Sequence, residues 1–173
     1  MNKKSLALMA VIILGIGSSQ LGYGQVKDGI RTERVTITGK AFVIDGDTLV
    51  IRSRHIRLQG IDAPEYKQTC QRPDGVTWGC GLVAARQLRQ KLEGAKLTCI
   101  GEQWDKYGRL LANCFLGEQN LNRWVVASGW AIAYRFFTTE FAPEEEQAKA
   151  TKLGIWSSRF IEPYQWRQSH RQK

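Results

Sequence analysis

Acidic residues are scarce in this chain: 16 Asp and Glu stand against 25 Lys and Arg, a net charge of +9 over 173 residues. A balance that basic favours polyanionic partners, either nucleic acid or an anionic membrane face. Long apolar runs are missing as well. The best candidate, Leu6 to Ile16, is too short to span a bilayer comfortably, so no stable membrane insertion is expected. No cysteine follows that run closely, which argues against a lipoprotein. The four cysteines form no CxxC pair, so the usual framework of a four-cysteine zinc site is absent. No repeat or low-complexity tract is present, and the length suits one domain with a real core.

What is present begins with an export signal. Lys3 and Lys4 precede the apolar run, and Gly22-Tyr23-Gly24 supplies small residues at the usual spacing before a cut. Residues 1–24 therefore read as a signal peptide, with Gln25 as the mature N-terminus and a periplasmic or secreted destination. Removing Lys3 and Lys4 leaves a charge of +7. Residues 25–32 read as a polar leader.

From Glu33 the pattern turns to β. Val35 and Ile37 alternate, and the strand continues through Ala41 and Val43. Leu49 and Ile51 alternate in a second strand. Ile56 and Leu58 alternate in a third, after a tight turn near Arg52-Ser53-Arg54. Tyr66 to Gly81 reads as a loop. Leu82 to Leu92 reads as a helix that Gly94 stops. Lys96 to Glu102 and Arg109 to Leu116 form two more strands, joined by a turn that holds Asp105 to Gly108. Asn120 caps a short helix ended by Gly129. A third helix runs from about Ala142 to Lys152, with Pro143 in its first turn. Residues 33–157 thus form an α+β domain with a mainly β core. The expected architecture is an OB-like five-stranded barrel with three packed helices. Residues 158–173 read as a basic tail, a frayed and solvated end in preference to a nucleic-acid-binding one.

An even cysteine count in an exported chain favours two disulfides, and three connectivities are open. Cys99 and Cys114 each fall on an apolar face of their strands. A hairpin centred between Lys106 and Tyr107 sets them opposite one another, and Cys70 with Cys80 then closes the loop after Glu65.

The chemistry gathers in Val43-Ile44-Asp45-Gly46-Asp47-Thr48 and Arg57-Leu58-Gln59-Gly60-Ile61-Asp62-Ala63-Pro64-Glu65. Asp45-Gly46 reads as a hairpin turn of positive φ, and Pro64 ends the third strand. Asp47 and Asp62, at two strand ends, are candidate metal ligands. Asp45 is an outer or turn residue. All-oxygen, loop-built sites favour Ca²⁺, with Mg²⁺ open. Glu65 is a candidate general base toward water. An arginine beside a metal suits a phosphate, and Arg52, Arg54 and Arg57 are all placed for it.

With Asp105-Lys106-Tyr107-Gly108-Arg109, these blocks resemble the staphylococcal nuclease (thermonuclease) family from about Val35 to Trp156. The resemblance implies the same barrel and a Ca²⁺-dependent nuclease acting on DNA and RNA. It selects Arg57 from the three arginines, with Arg109 gripping the phosphate from the other side. It adds the Ala63 carbonyl as a third ligand, Lys106 and Tyr107 as the pocket for a neighbouring phosphate, and Tyr134 near a base. Phe136 falls where the family pattern has a second tyrosine, and it lacks the hydroxyl. A competing reading is a nucleic-acid-binding barrel that has lost the chemistry. Against it, Asp47, Arg57, Asp62, Glu65 and Arg109 are all competent residues.

Overall fold

The computed structural model describes residues 33–170. The expected signal peptide and leader lie outside them. Eleven strands appear in these residues: β1 Val35–Gly39, β2 Phe42–Val43, β3 Thr48–Ile51, β4 Arg54–Leu58, β5 Ile61–Asp62, β6 Cys70–Gln71, β7 Thr77–Trp78, β8 Leu97–Trp104, β9 Leu110–Leu116, β10 Gln119–Asn120 and β11 Ile132–Ala133. The helices are α1 Cys80–Lys91, α2 Leu121–Ala127, α3 Ala142–Ala150 and α4 Pro163–His170, with a 3-10 turn at Gly154–Ser157.

The main sheet runs β1-β8-β9-β4-β3-β2, with β10 added to β9. Its two ends, β1 and β2, are consecutive in the chain. One extended run changes partner at Lys40 and Ala41, pairing with β8 before them and β3 after. That exchange curls the sheet back on itself into an OB-like barrel. All five expected strands are found, the first split in two by this corner. β4 lies parallel to β9, pairing Ile56 with Leu110 and Leu58 with Ala112, because α1 and β8 intervene as the crossover.

Alternation carries one face of each strand inward. Leu49, Ile51, Ile56, Leu58, Leu97, Cys99, Leu110, Ala112 and Cys114 are essentially fully buried together. Each such leucine or isoleucine stabilises the fold by about 1.5–3 kcal/mol relative to exposure. Ala85 and Leu88 of α1 and Leu121 and Val125 of α2 complete that core. Asn120 caps α2 as expected, accepting from Arg123 N at 3.0 Å. Helix α1 starts at Cys80, two residues before the expected start.

Both disulfides form, Cys70–Cys80 and Cys99–Cys114. The β8–β9 pairing places Cys99 opposite Cys114, but the turn is not centred where expected. Trp104 pairs with Leu110, and an irregularity between Gly101 and Gln103 inserts one extra residue that restores the cysteine register.

Two local expectations are corrected. The positive-φ turn is at Arg52 and Ser53, with φ of 49° and 65°, not at Asp45-Gly46. Gly46 is needed for space instead, since a Cβ there would lie 2.6 Å from the Ala63 Cβ. Nor is the tail frayed over its described residues, 158–170. Arg159 and Gln71 exchange backbone hydrogen bonds of 2.8 and 2.9 Å, and Gln68 Nε2 donates to Ile161 O at 2.7 Å. Trp78 Nε1 donates to Ser158 Oγ at 2.9 Å. Pro163 then opens α4, a fourth helix, in the position where a missing N–H costs nothing. No described helix is long and apolar enough to cross a membrane.

Candidate active site

Asp47 sits at the mouth of the β3–β4 hairpin. The Asp45 carboxylate turns the chain there by accepting from Asp47 N at 3.1 Å. On β4, Arg57 stands opposite Thr48 and so reaches the neighbouring Asp47. Its Nη1 donates to Asp47 Oδ1 and its Nη2 to Asp62 Oδ1 at 2.6 Å. Asp47 also accepts from Thr48 Oγ1 at 3.1 Å and from Ala63 N at 2.7 Å. Asp62 is held in place by the pairing of β5 with β11, where it faces Ile132. One guanidinium therefore ties together the ends of β3 and β5.

Both aspartates are buried, at 1% and 0% exposure. Burial pushes the Asp47 carboxyl well above the usual aspartate range. Arg57 opposes that, while Asp45 and Asp62 add to it and the Ala63 N–H opposes it. Burial works against the charge of Arg57, but Asp47 and Asp62 outweigh it and raise its pKa.

Glu65 follows the Ala63-Pro64 strand end. Its N–H donates to Gln68 Oε1 at 3.2 Å, and its carbonyl accepts from Gln68 N at 2.7 Å. Gly81 at the start of α1 lets that backbone pass, since a Cβ there would collide with the Glu65 carbonyl oxygen. Arg109 leaves the β8–β9 turn under tight control from Asp105. Asp105 Oδ2 accepts from Arg109 Nε at 2.7 Å, and Oδ1 accepts from Tyr107 N at 2.9 Å and Arg109 N at 3.0 Å. Burial raises the Asp105 carboxyl, but the backbone and guanidinium N–H groups of Arg109 outweigh it and leave the pKa lowered. Arg109 Nη1 donates to Thr48 Oγ1 at 3.4 Å, which links it through Thr48 to Asp47.

Asp45, Arg57, Glu65, Lys106, Tyr107, Arg109 and Tyr134 line one cleft of about 670 Å³. Two cations approach the Tyr107 ring, with Lys106 Nζ at 5.2 Å and the Arg109 guanidinium carbon at 5.4 Å from its centroid. Tyr134 packs against Phe136 and Phe137, centroids 5.5 and 5.4 Å apart. Phe136 itself is 88% exposed and lines a neighbouring cleft instead. Asp47 and Ala63 are buried behind Arg57 and do not line this cleft, and Asp62 borders the neighbouring one.

Three residues of this arrangement escaped the sequence reading. Asp105 was visible only as a turn residue, four positions before the arginine it clamps. Gln68, fully buried, fixes both the Glu65 backbone and the C-terminal segment. Arg167 on α4 donates from Nη1 to Asp62 Oδ1 at 2.8 Å and from Nη2 to Asp62 Oδ2 at 3.0 Å. Its Nη1 also reaches Glu65 Oε1 at 2.9 Å. A contact across 105 positions leaves no local trace, and only Pro163 hinted at a helix there.

The donor set suits a hard cation: two buried carboxylates, with a third close by at Glu65. Among the described residues, no three His, Cys, Asp or Glu side chains form a group able to hold a metal ion by themselves. Arginines balance the charge of the carboxylates instead.

Fold and site together define an OB-like barrel whose cleft joins arginines to paired carboxylates. The family described as staphylococcal nuclease homologue matches residues 55–158. A succinoglycan biosynthesis protein, ExoI, of Rhizobium meliloti is 35% identical over 123 residues, covering 69% of this chain and 64% of its own length. An uncharacterized endonuclease of Escherichia coli O157:H7 is 33% identical over 133 residues, covering 72% of this chain and 80% of its own. The endonuclease YncB of Bacillus subtilis is 29% identical over 127 residues, 66% and 58% of the two chains. This chain therefore spans less than two thirds of the Rhizobium and Bacillus proteins. It belongs to the staphylococcal nuclease family.

Proposed function

We propose that the protein is an exported, Ca²⁺-dependent nuclease that hydrolyses phosphodiester bonds of DNA and RNA. The observation that carries this reading is the bridging of Asp47 and Asp62 by Arg57, which lines one cleft with Glu65 and Arg109. Family membership and two relatives named as endonucleases support the activity. The net charge of +9 supports a polyanionic substrate.

In this reading Asp47, Asp62 and the Ala63 carbonyl would hold Ca²⁺, which would supply positive charge to the scissile phosphate. Arg57 and Arg109 grip the phosphate oxygens from two sides, each with a forked, permanently charged donor. Their charge meets the negative charge that builds as water attacks phosphorus. Glu65 accepts the proton of that water as the new P–O bond forms and the ester P–O bond breaks. Lys106 and Tyr107 line the route of the neighbouring phosphate, and Tyr134 offers a face to a base. To grip the phosphate, Arg57 must turn from the two aspartates it now bridges.

A second reading is a binding barrel without catalysis, favoured by the capture of both aspartates by arginines. Plasmid DNA and RNA incubated with the protein, in Ca²⁺ and in chelator, separate the two. Ca²⁺-dependent cleavage that Glu65→Gln lowers supports the nuclease, and retention without cleavage overturns it. Export is tested by N-terminal sequencing of the mature protein, which should begin at Gln25.

A further inference from the structure

Arg167 comes from α4, beyond the residues 55–158 that match the family. It occupies both oxygens of Asp62 and one of Glu65. Forked guanidinium–carboxylate pairs are among the stronger hydrogen-bonded contacts in proteins. In the proposed reaction these two carboxylates must be open, Asp62 toward a cation and Glu65 toward water. A single side chain covers them both.

The helix that carries it is attached unevenly. The segment before it is stitched down by the Arg159–Gln71 bridge and by Gln68 on Ile161. Within α4 only Pro163 is buried. The bonds from Trp166 N to Glu162 O and from Ser169 Oγ to Trp166 O stay inside the segment. Tyr164, Arg167 and Gln168 form one wall of the cleft. The helix is thus hinged at a fastened end and held at the cleft by the ion pairs of Arg167.

The geometry points to an autoinhibitory latch: α4 is an internal ligand of the cleft, and Arg167 competes with the cation for Asp62. This rests on the reading of Asp62 as a cation ligand. Asp62 is fully buried with both oxygens taken, and withdrawal of Arg167 would open Oδ2 to a cation while Oδ1 still accepts from Arg57. Withdrawal also frees the Glu65 oxygen that accepts from Arg167 Nη1. The coupling is reciprocal, so the ion loosens α4 by the same factor by which α4 weakens the ion.

The test uses the full chain without nucleic acid. Ca²⁺ affinity is measured by titration calorimetry for the wild type and Arg167→Ala, with Arg167→Lys as the variant that keeps the charge but not the fork. Arg167→Ala should bind Ca²⁺ on the order of 5- to 100-fold more tightly, the usual span for coupled ligands, with Arg167→Lys between. Because a variant can fail to fold, backbone hydrogen exchange of residues 163–170 is followed in the wild type. Those amides should exchange faster when Ca²⁺ is added. Unchanged or weaker affinity in Arg167→Ala, or unchanged or slower exchange in the wild type, overturns the latch. If the wild type still cleaves plasmid DNA with Ca²⁺, only the latch has failed. Absence of both Ca²⁺ binding and cleavage overturns the nuclease reading with it.

Discussion

Asp105→Asn isolates how much of Arg109 is built by its neighbour. Asparagine keeps one oxygen to accept from Tyr107 N and Arg109 N, so the turn survives. What it loses is the carboxylate on the guanidinium, where Arg109 Nε and Nη2 both meet Oδ2 at 2.7 Å. A hydrogen bond to a charged group is worth about 1.5–3 kcal/mol. Here the two side chains are 17% and 24% exposed. Solvent screening then brings the stability loss to about 1 kcal/mol. The effect on catalysis should be larger, about 10- to 100-fold in turnover, as when a supporting contact lets a functional group wander. Ca²⁺ affinity should stay unchanged, since Asp105 touches neither aspartate. The stability difference has a defined pH dependence. The folded Asp105 carboxyl titrates below the ordinary value of about 3.9, so its stabilisation is present above that pH. It is lost as pH falls through the lowered folded value. Urea denaturation of both proteins from pH 7 to pH 3, alongside turnover on plasmid DNA, measures each part. Wild-type turnover in Asp105→Asn would refute the reasoning, because Arg109 would then be placed by something other than this clamp.

Glu65→Gln should lower turnover by about 10²- to 10⁴-fold while a nucleotide inhibitor still binds, measured by steady-state kinetics and titration. Arg57→Ala should cost about 3–5 kcal/mol in chemical denaturation, because it leaves Asp47 and Asp62 buried without that partner. Its loss of activity should not return with added Ca²⁺. Asp62→Ala should weaken Ca²⁺ binding in calorimetry, with activity returning in part at high Ca²⁺.

The sequence by itself determined the elements whose causes are local. Alternation along Leu49–Ile51, Ile56–Leu58 and the β8–β9 pair set the inner face of the barrel, since each strand buries every second residue. Spacing around the Asp105–Gly108 turn brought Cys99 to Cys114, even though the turn centre and the inserted residue in β8 were not foreseen. The carboxylates and arginines of the cleft were legible because they cluster within three short blocks, 43–48, 57–65 and 105–109, from which the family resemblance picked out Arg57 and Arg109. Tertiary structure alone decided the rest. Gly46 lies in the β2–β3 connection as read, but it is needed for space and not for positive φ, because Ala63, just past β5, packs against it. Gln68 looked like a loop polar residue, yet its amide joins Glu65 to Ile161. The tail read as solvated because it is terminal and mostly polar and basic, and its one acid, Glu162, is not the one that Arg167 meets. The acid was Asp62, and only the folded barrel brings it within reach of Arg167, where burial makes an unpaired carboxylate costly and a guanidinium welcome.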